Sequence, residues 1–441
     1  MRVLAIDIGS SSVKAAFWDG KQFRARTRIP YETHFDGPRA ELDPTTVLRA
    51  VIKAGKNVRA QKPDAIAFCT LSPGLVITDT TFKPRGNIIT HQDRRSTTEA
   101  RALVQKFTEP WLLQHTANLP YPGGIGSSSL AWLATHNKKI LRNARIGQLS
   151  SLVGHALTGQ WKIDPSQAVF LGLWDIQSWQ WNDRLCRTLG ISKNALPTCQ
   201  YADEPLGTLS PTIAHAWNIP AGIPVLGGFV DTSAAVLQTP MKPGQLTHNA
   251  GSTDVLCLSV KNPRPAAGLL SRPVGTRGKK GEAEWLAILT IAAAGSSIAW
   301  ARRELFPDIS DPAWKKTLAA ACRQATPDTL DDETLPACIP EFSGRRAAID
   351  QGTGGAFFHL HLATTREQLL AALLRGLVRQ SASHYQTLSH LHCPTREVFS
   401  MGGATDLATR MHAAWKGKHT FKKLEGDSMA GLVQLAARAL K

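Results

Sequence analysis

The side chains best placed for chemistry lie in the first turn of the chain. Between an apolar run from Val3 to Ile6 and a second that begins at Val13 come Asp7, Gly9, Ser10, Ser11 and Ser12, with Lys14 just beyond. The order reads as strand, tight polar turn, strand. Glycine lets backbone approach a ligand closely, the hydroxyls and N–H groups of the three serines can cradle phosphate oxygens, and Lys14 can reach the same charge. Asp7 stands where a carboxylate can hold a metal-bound water beside those phosphates. No G-x-x-x-x-G-K-[ST] occurs and Val13 to Trp18 is strand-like, so the turn differs from a P-loop. An ordinary hairpin with a polar turn fits the same residues.

A second turn echoes the first. Gln245 to Val260 reads as strand, Gly251-Ser252-Thr253, strand. Two such hairpins, one opening each half, imply duplicated domains facing each other across a nucleotide cleft, with the boundary placed between residues 1–223 and 224–441. Ahead of the second hairpin, a buried strand ending at Val230 meets Asp231, which opens the helix-like DTSAAVLQ. Asp231 there is either a helix cap or a general base. Farther on, a strand from Glu397 to Ser400 runs into Met401-Gly402-Gly403-Ala404, where backbone can lie against a flat base or ribose.

The elements that must position these residues follow from periodicity and stop signals. A strand is expected over Lys21 to Tyr31, a helix over Thr45 to Lys56, and buried strands over Ala65 to Thr70 and Leu75 to Asp79. Helices are expected at Ser96 to Phe107, Ser128 to Thr135, Leu149 to Leu157, Gly295 to Leu305, Pro312 to Gln324, Arg366 to Leu388 and Thr405 to Trp415. The small-residue amphipathic stretch Ser428 to Leu440 suits close packing on a sheet. Trp174, Trp179 and Trp181 read as core and loop anchors. His359 with His361, and His390 with His392 and Cys393, lack the further ligands a metal site needs.

The 441 residues suggest two domains, and 43% apolar against 19% charged composition is that of a globular chain. No apolar run approaches the ~20 residues of a membrane span. Asp7 interrupts the N-terminal apolar run where a secretory signal would continue, so a cytoplasmic protein is expected. Seven cysteines without a C-x-x-C pair read as buried free thiols. The net charge of +17 is dispersed, with modest clusters at Lys53 to Lys62 and Arg272 to Lys280. We read it as solvated surface that can steer an anionic nucleotide, with neither nucleic acid nor membrane as partner.

Taken in order, DIGSSSVKAAFWD, HQDRR (His91 to Arg95), the LTG-x(4)-D-x-S-x-A run (Leu157 to Ala168), GGFVDTSAA (Gly227 to Ala235), AGSTD (Ala250 to Asp254), AAGSSIAWARREL (Ala293 to Leu305), FSGRR (Phe342 to Arg346) and SMGGAT (Ser400 to Thr405) resemble the FGGY carbohydrate kinases of the actin-like ATPase superfamily. The resemblance implies an α/β chain of two ribonuclease-H-like domains with a sugar and MgATP in the cleft between them. It implies Asp7 as the carboxylate linked to Mg2+ through water, Ser10, Ser11, Ser12 and Lys14 as the first phosphate loop, and Gly251, Ser252 and Thr253 as the second. Gly295 matches a glycine near the phosphates, Gly402, Gly403 and Ala404 the adenosine turn, Asp93 an acidic position by the sugar, and Asp231 the catalytic base.

A kinase must take a proton from the attacking hydroxyl, and a positioned carboxylate contributes about 10²–10⁴-fold to such a step. The departures gather on the sugar side. Xylulokinase-like members carry Q-M-H-G where this chain has Leu71-Ser72-Pro73-Gly74, and the Asn that often follows the base is Thr232. Sugar specificity is therefore expected at Ser72, Pro73, Asp93, Asp231 and Thr232. The implied activity is ATP-dependent phosphorylation of a small sugar or polyol, a ketose such as a pentulose being favoured, with a homodimer as the candidate assembly. A non-catalytic nucleotide-binding regulator on the same fold is the alternative reading.

Overall fold

The computed structural model describes residues 1–441 other than 59, 279–281, 351–353, 404, 425–427 and 441. Contacts divide the chain into one unit of residues 1–241, 261–286 and 426–441, and another of residues 242–260 and 287–425.

The first unit is built on a sheet whose central strand, Val3–Ile8, is buried at every position, as a strand covered on both faces must be. It pairs antiparallel with Ser12–Trp18 and parallel with Ala65–Thr70, which pairs parallel with Pro224–Val230. Phe23–Pro30 and Gly207–Thr208 form the two edges. Leu4, Ile6 and Ile8 enter a core shared with Val47, Val51 and Val58 of the helix Pro44–Val58 and with Leu149, Leu152 and Val153 of the helix Leu149–Thr158. Side chains alternate along a strand, so Asp7 points to the opposite face, where the C-terminal helix Ser428–Ala439 lies. A second sheet runs His34–Asp36, Arg39–Leu42, Ile88–Thr90, Gly74–Thr78, Arg145–Gln148. All five strands are three to five residues long, and apart from the one expected over Leu75 to Asp79 they are too short to register as periodicity.

The expected boundary before Pro224 differs from the observed division after Met241. Pro224–Val230 ladders onto Ala65–Thr70, so the strand, and with it Asp231, belongs to the first unit. Of the expected basic surface cluster Arg272 to Lys280, Arg277 is exposed and Lys279 and Lys280 lie outside the described residues, but Arg272 is corrected. Residues 270–277 form a strand and Arg272 has no exposed surface.

The second unit repeats the opening arrangement: the hairpin of Leu246–Ala250 and Asp254–Val260, with the first strand parallel to Glu397–Met401. Helices Gly295–Leu305, Asp311–Gln324, Arg366–Leu391 and Thr405–Ala414 supply its apolar core. Under the hairpin, buried His248 is bonded to Asp254 through Nε2 at 2.5 Å and to His412 through Nδ1 at 2.8 Å. All seven cysteines are free, with Cys393 exposed. Among the described residues no helix is long and apolar enough to cross a membrane.

A Cβ on Gly431 would stand 1.6 Å from the carbonyl oxygen of Ala234, so Gly431→Ala should destabilise the first unit by at least the about 1–3 kcal/mol typical of overpacking, read from urea unfolding. Burial pushes His384 down to about 4, against a partial opposing pull from Asp254, and pushes His412 down to about 3 with help from His248 and His419. Below the ordinary histidine value the unfolded chain binds protons that the folded chain refuses. Stability present at neutral pH is thus lost as pH falls from about 6.5 toward 4, and His384→Leu should flatten that slope in a melting series.

Candidate active site

Asp7 and Asp231 both sit at the carboxyl ends of parallel strands, with Ala65–Thr70 between those strands. Register puts Asp7 opposite Cys69 on one side and Lys14 on the other, while Phe229 lies opposite Cys69 from the far strand. The pairing slips between Gly227 and Phe229, a bulge that re-aims the end of the strand. Gly227 has φ +98°, and a Cβ there would meet the Phe68 carbonyl oxygen at 2.1 Å, so only glycine fits.

Three groups hold Asp7. Ser428 donates its hydroxyl to Oδ2 at 2.7 Å, Lys14 Nζ lies 3.6 Å from the same oxygen, and the Cys69 thiol donates to Oδ1 at 3.7 Å. Burial first, then the charges of Asp7 and Asp231, push the Cys69 thiol well above its usual range, so it stays a donor. The Gly9–Ser12 turn closes with Gly9 N–H donating to the Ser12 carbonyl at 3.0 Å. Tyr31 N–H and Thr33 Oγ1 fix the Ser11 and Ser10 carbonyls at 3.0 and 2.9 Å, and the Tyr31 hydroxyl bonds the Gly9 carbonyl. Ser12 is buried and its Oγ accepts from Arg28 Nε at 3.1 Å, so it braces the turn, whereas Ser11 is exposed and Ser10 half-buried.

Asp231 begins a six-residue helix, and its Oδ1 accepts from Thr232 N–H at 2.6 Å. Buried Arg272 pins that helix, donating to Thr232 Oγ1 at 2.6 Å and Ser233 Oγ at 2.5 Å, with its guanidinium 5.5 Å from the Phe170 ring. Behind the strand ends, Ser166 Oγ accepts from Val230 N–H at 3.2 Å and Gln167 Nε2 donates to Thr70 Oγ1 at 2.8 Å. Their helix is capped by Asp164, which accepts from Ser166 and Gln167 N–H. Complete burial raises the Asp164 carboxyl to about 7 despite those bonds and Arg272. The tertiary structure thus adds Cys69, Asp164, Ser166, Gln167, Arg272 and Ser428 to the sequence-based set. Asp164 and Ser166 are fixed positions of the Leu157 to Ala168 run and Gln167 a variable one, whereas Ser428, 421 residues from Asp7, gives no local signal.

The remaining expected sugar-side residues divide. Ser72 and Pro73 are buried directly beyond the strand Ala65–Thr70, joined by a cis peptide. Asp93 has no exposed surface, and its oxygens accept from Ala40 N–H at 2.9 Å, from Arg95 N–H, and from Arg95 Nε and Nη2 at 2.6–3.0 Å. It anchors a loop, with no oxygen turned to solvent.

Within the second unit the other expected turn is equally built. Gly251 N–H donates to the Thr253 carbonyl at 3.1 Å, and the Gly251 and Ser252 carbonyls accept from the N–H groups of Gly295 and Ser296. A Cβ on Gly295 would stand 2.7 Å from the Gly251 carbonyl oxygen. One on Gly402, at φ +103°, would stand 2.1 Å from that of Ala250. Gly251 to Thr253, Gly295 and Gly402 therefore converge, Gly403 is open to solvent, and Ala404 lies outside the described residues.

The chain is similar to known proteins in sequence and in fold. The models for the N- and C-terminal domains of the FGGY family of carbohydrate kinases match residues 2–238 and 246–437. Glycerol kinase of Rhizobium meliloti is 26% identical over 97% of this chain and 82% of its own length. L-fuculokinase of Salmonella typhi is 24% identical over 68% of this chain, and the match spans 61% of that protein. In fold, the chain superposes on xylulose kinase from Rhodospirillum rubrum with a TM-score of 0.85 at 22% identity, covering 99% of this chain and 89% of that one. Plasmodium falciparum glycerol kinase with ADP gives a TM-score of 0.83 at 17% identity, covering 99% and 89%. With both family domains matched in order across nearly its whole length, the chain belongs to the FGGY family of carbohydrate kinases.

Proposed function

We propose that this carbohydrate kinase transfers the γ-phosphoryl group of ATP to a hydroxyl of a small ketose, with a pentulose as the leading acceptor and Asp231 as general base. The observation that carries the reading is Asp231 itself: a half-buried carboxylate placed after a glycine-bulged strand, one strand removed from the strand that bears Asp7, on a helix locked by Arg272. Such a group is fixed in direction yet reachable, as a base for a hydroxyl proton must be. Thr232, fixed by two hydrogen bonds, and the buried Ser72-Pro73 segment are the side chains we assign to acceptor recognition. Asp93 acts on that recognition through Arg95 and the loop it anchors.

The chain's residues fit a triphosphate and a hard cation. Among the described residues the N–H groups of Ser10 and Ser11 have no intramolecular acceptor, and Lys14 is close to half exposed. Gly295 and Gly402 keep backbone bare where a side chain would collide. Asp7 supplies the oxygen chemistry that Mg2+ prefers, through water, and Ser12 braces the loop. Gly251, Ser252 and Thr253 form the second phosphate contact in this reading, and Gly402, Gly403 and Ala404 the adenosine contact. ATP supplies the electrophilic phosphorus. Position and electrostatic stabilisation do the rest. The cytoplasm and a homodimeric assembly belong to the same proposal.

Asp231→Asn should lower kcat at least ~10²-fold in an ADP-release assay while ATP-analogue affinity stays within about twofold. Turnover retained in a folded variant removes Asp231 as base. In a panel of pentuloses, hexoses, heptuloses and polyols, kcat/KM should peak on a ketose. A maximum on glycerol or an aldonic acid overturns the acceptor assignment and leaves the base intact.

A further inference from the structure

The first unit carries a cavity of about 790 Å³ that contains none of the residues assigned above. That size falls within the about 300–1,000 Å³ of small-molecule sites. Phe82, Trp161, Trp174 and Trp181 form its aromatic walls, and Arg145 and Lys193 are its charged lining groups. Lining side chains therefore include two cations and no carboxylate. Lys193 is held by Asp183 at 2.8 Å. Arg145 has no carboxylate partner among the described residues: it bonds the Asn194 carbonyl and lies 5.9 Å from the centre of the Phe82 ring.

The unpaired polar atoms around the cavity are all donors. Trp161 Nε1, Arg145 Nε and the Nε1 of Trp174, a residue only 5% exposed, make no hydrogen bond among the described residues. These three atoms are themselves buried and do not open onto the cavity, so the groups that offer positive charge to a ligand there are Arg145 and Lys193. The aromatic walls meet at steep angles: Trp174 and Trp181 at 88° with centroids 5.0 Å apart, Phe82 and Trp161 at 45° and 5.3 Å. No parallel slot for a planar base results, whereas a puckered ring can set C–H edges against several walls at once. Two of the turns that carry these rings hold bulky residues in the left-handed region, Phe82 at φ +65° and Trp179 at φ +56°. Backbone strain of that kind is borne where ring placement overrides local preference.

We propose that this cavity binds an anionic sugar, a saccharide ring bearing a phosphate or a carboxylate, with the ring against Trp161 and Trp181 and the anion at Arg145. Trp181 is fixed for the purpose by its Nε1 bond to the Pro197 carbonyl at 3.0 Å. The site is independent of the kinase assignment.

Calorimetric titration of the full chain with glucose 6-phosphate, glucuronate, glucose, inorganic phosphate and ADP tests it. One or both anionic sugars should bind saturably and at least tenfold more tightly than glucose or phosphate, and which of the two does so identifies the anion. Arg145→Gln and Trp181→Ala should each weaken that binding at least tenfold, and Thr232→Ala should leave it unchanged. If Trp181→Ala does not fold, Arg145→Gln decides alone. Binding indifferent to Arg145→Gln, phosphate or glucose matching the anionic sugars, ADP binding that Arg145→Gln weakens tenfold, or loss of binding in Thr232→Ala would each overturn the proposal.

Discussion

Two carboxylates held one strand apart at the ends of parallel strands set the terms for the first unit. Asp7 and Asp231 bear on the same thiol, Cys69, which lies between their strands. Like charges so placed need donors. For Asp7 these are Ser428, Lys14 and the Cys69 thiol, and the charges that burden the thiol also keep its proton in place. The Ser428 bond requires the C-terminal helix to return across the sheet, and the small side of that helix at Gly431 allows the approach to Ala234. A carboxylate near the end of the first strand is thus tied to where the last helix of the chain packs.

Asp231 is held by a different device. Its helix has only six residues and can contribute little rigidity alone. A guanidinium with no exposed surface, Arg272, compensates by bonding two consecutive hydroxyls, Thr232 and Ser233, and also the Pro273 carbonyl. Burying a cation is costly unless its donors are met, and the two hydroxyls and the Pro273 carbonyl meet those of its terminal nitrogens without neutralising the charge. Asp164 lies within electrostatic reach, buried and with its carboxyl raised to about 7. Gly275, at φ +106°, leaves the space that Asp164 needs, since a Cβ there would stand 2.3 Å from Oδ2.

The second unit solves a simpler problem, presenting bare backbone. Its turn is tied to the start of the helix Gly295–Leu305 by carbonyl acceptors at Gly251 and Ser252. The Asp254–His248–His412 chain beneath keeps the hairpin in register with neutral imidazole at His412. Asp254 follows the turn immediately, so the residue that closes the AGSTD motif fixes the hairpin from below.

Much of this was legible in the residues. The hairpin after Asp7, its echo at Gly251 to Thr253, most long helices and the ordered motifs that resemble FGGY kinases all rest on local signals: alternation, stop residues, and glycine where side chains cannot fit. Long-range pairing was not legible. Pro224–Val230 looked like the opening of the second half because a turn followed it, and only its ladder with Ala65–Thr70 assigns it, with Asp231, to the first unit. Arg272 looked like surface charge because composition cannot distinguish a solvated arginine from a buried one whose terminal nitrogens bond to hydroxyls. Asp93 looked like a sugar ligand, yet both its oxygens are spent on Arg95 and Ala40. Sequence by itself determined which chemistry the chain carries, since that depends on residue type and near neighbours. Only tertiary structure decided which polar groups are free to use it, because hydrogen-bond partners hundreds of residues away leave no trace in local order.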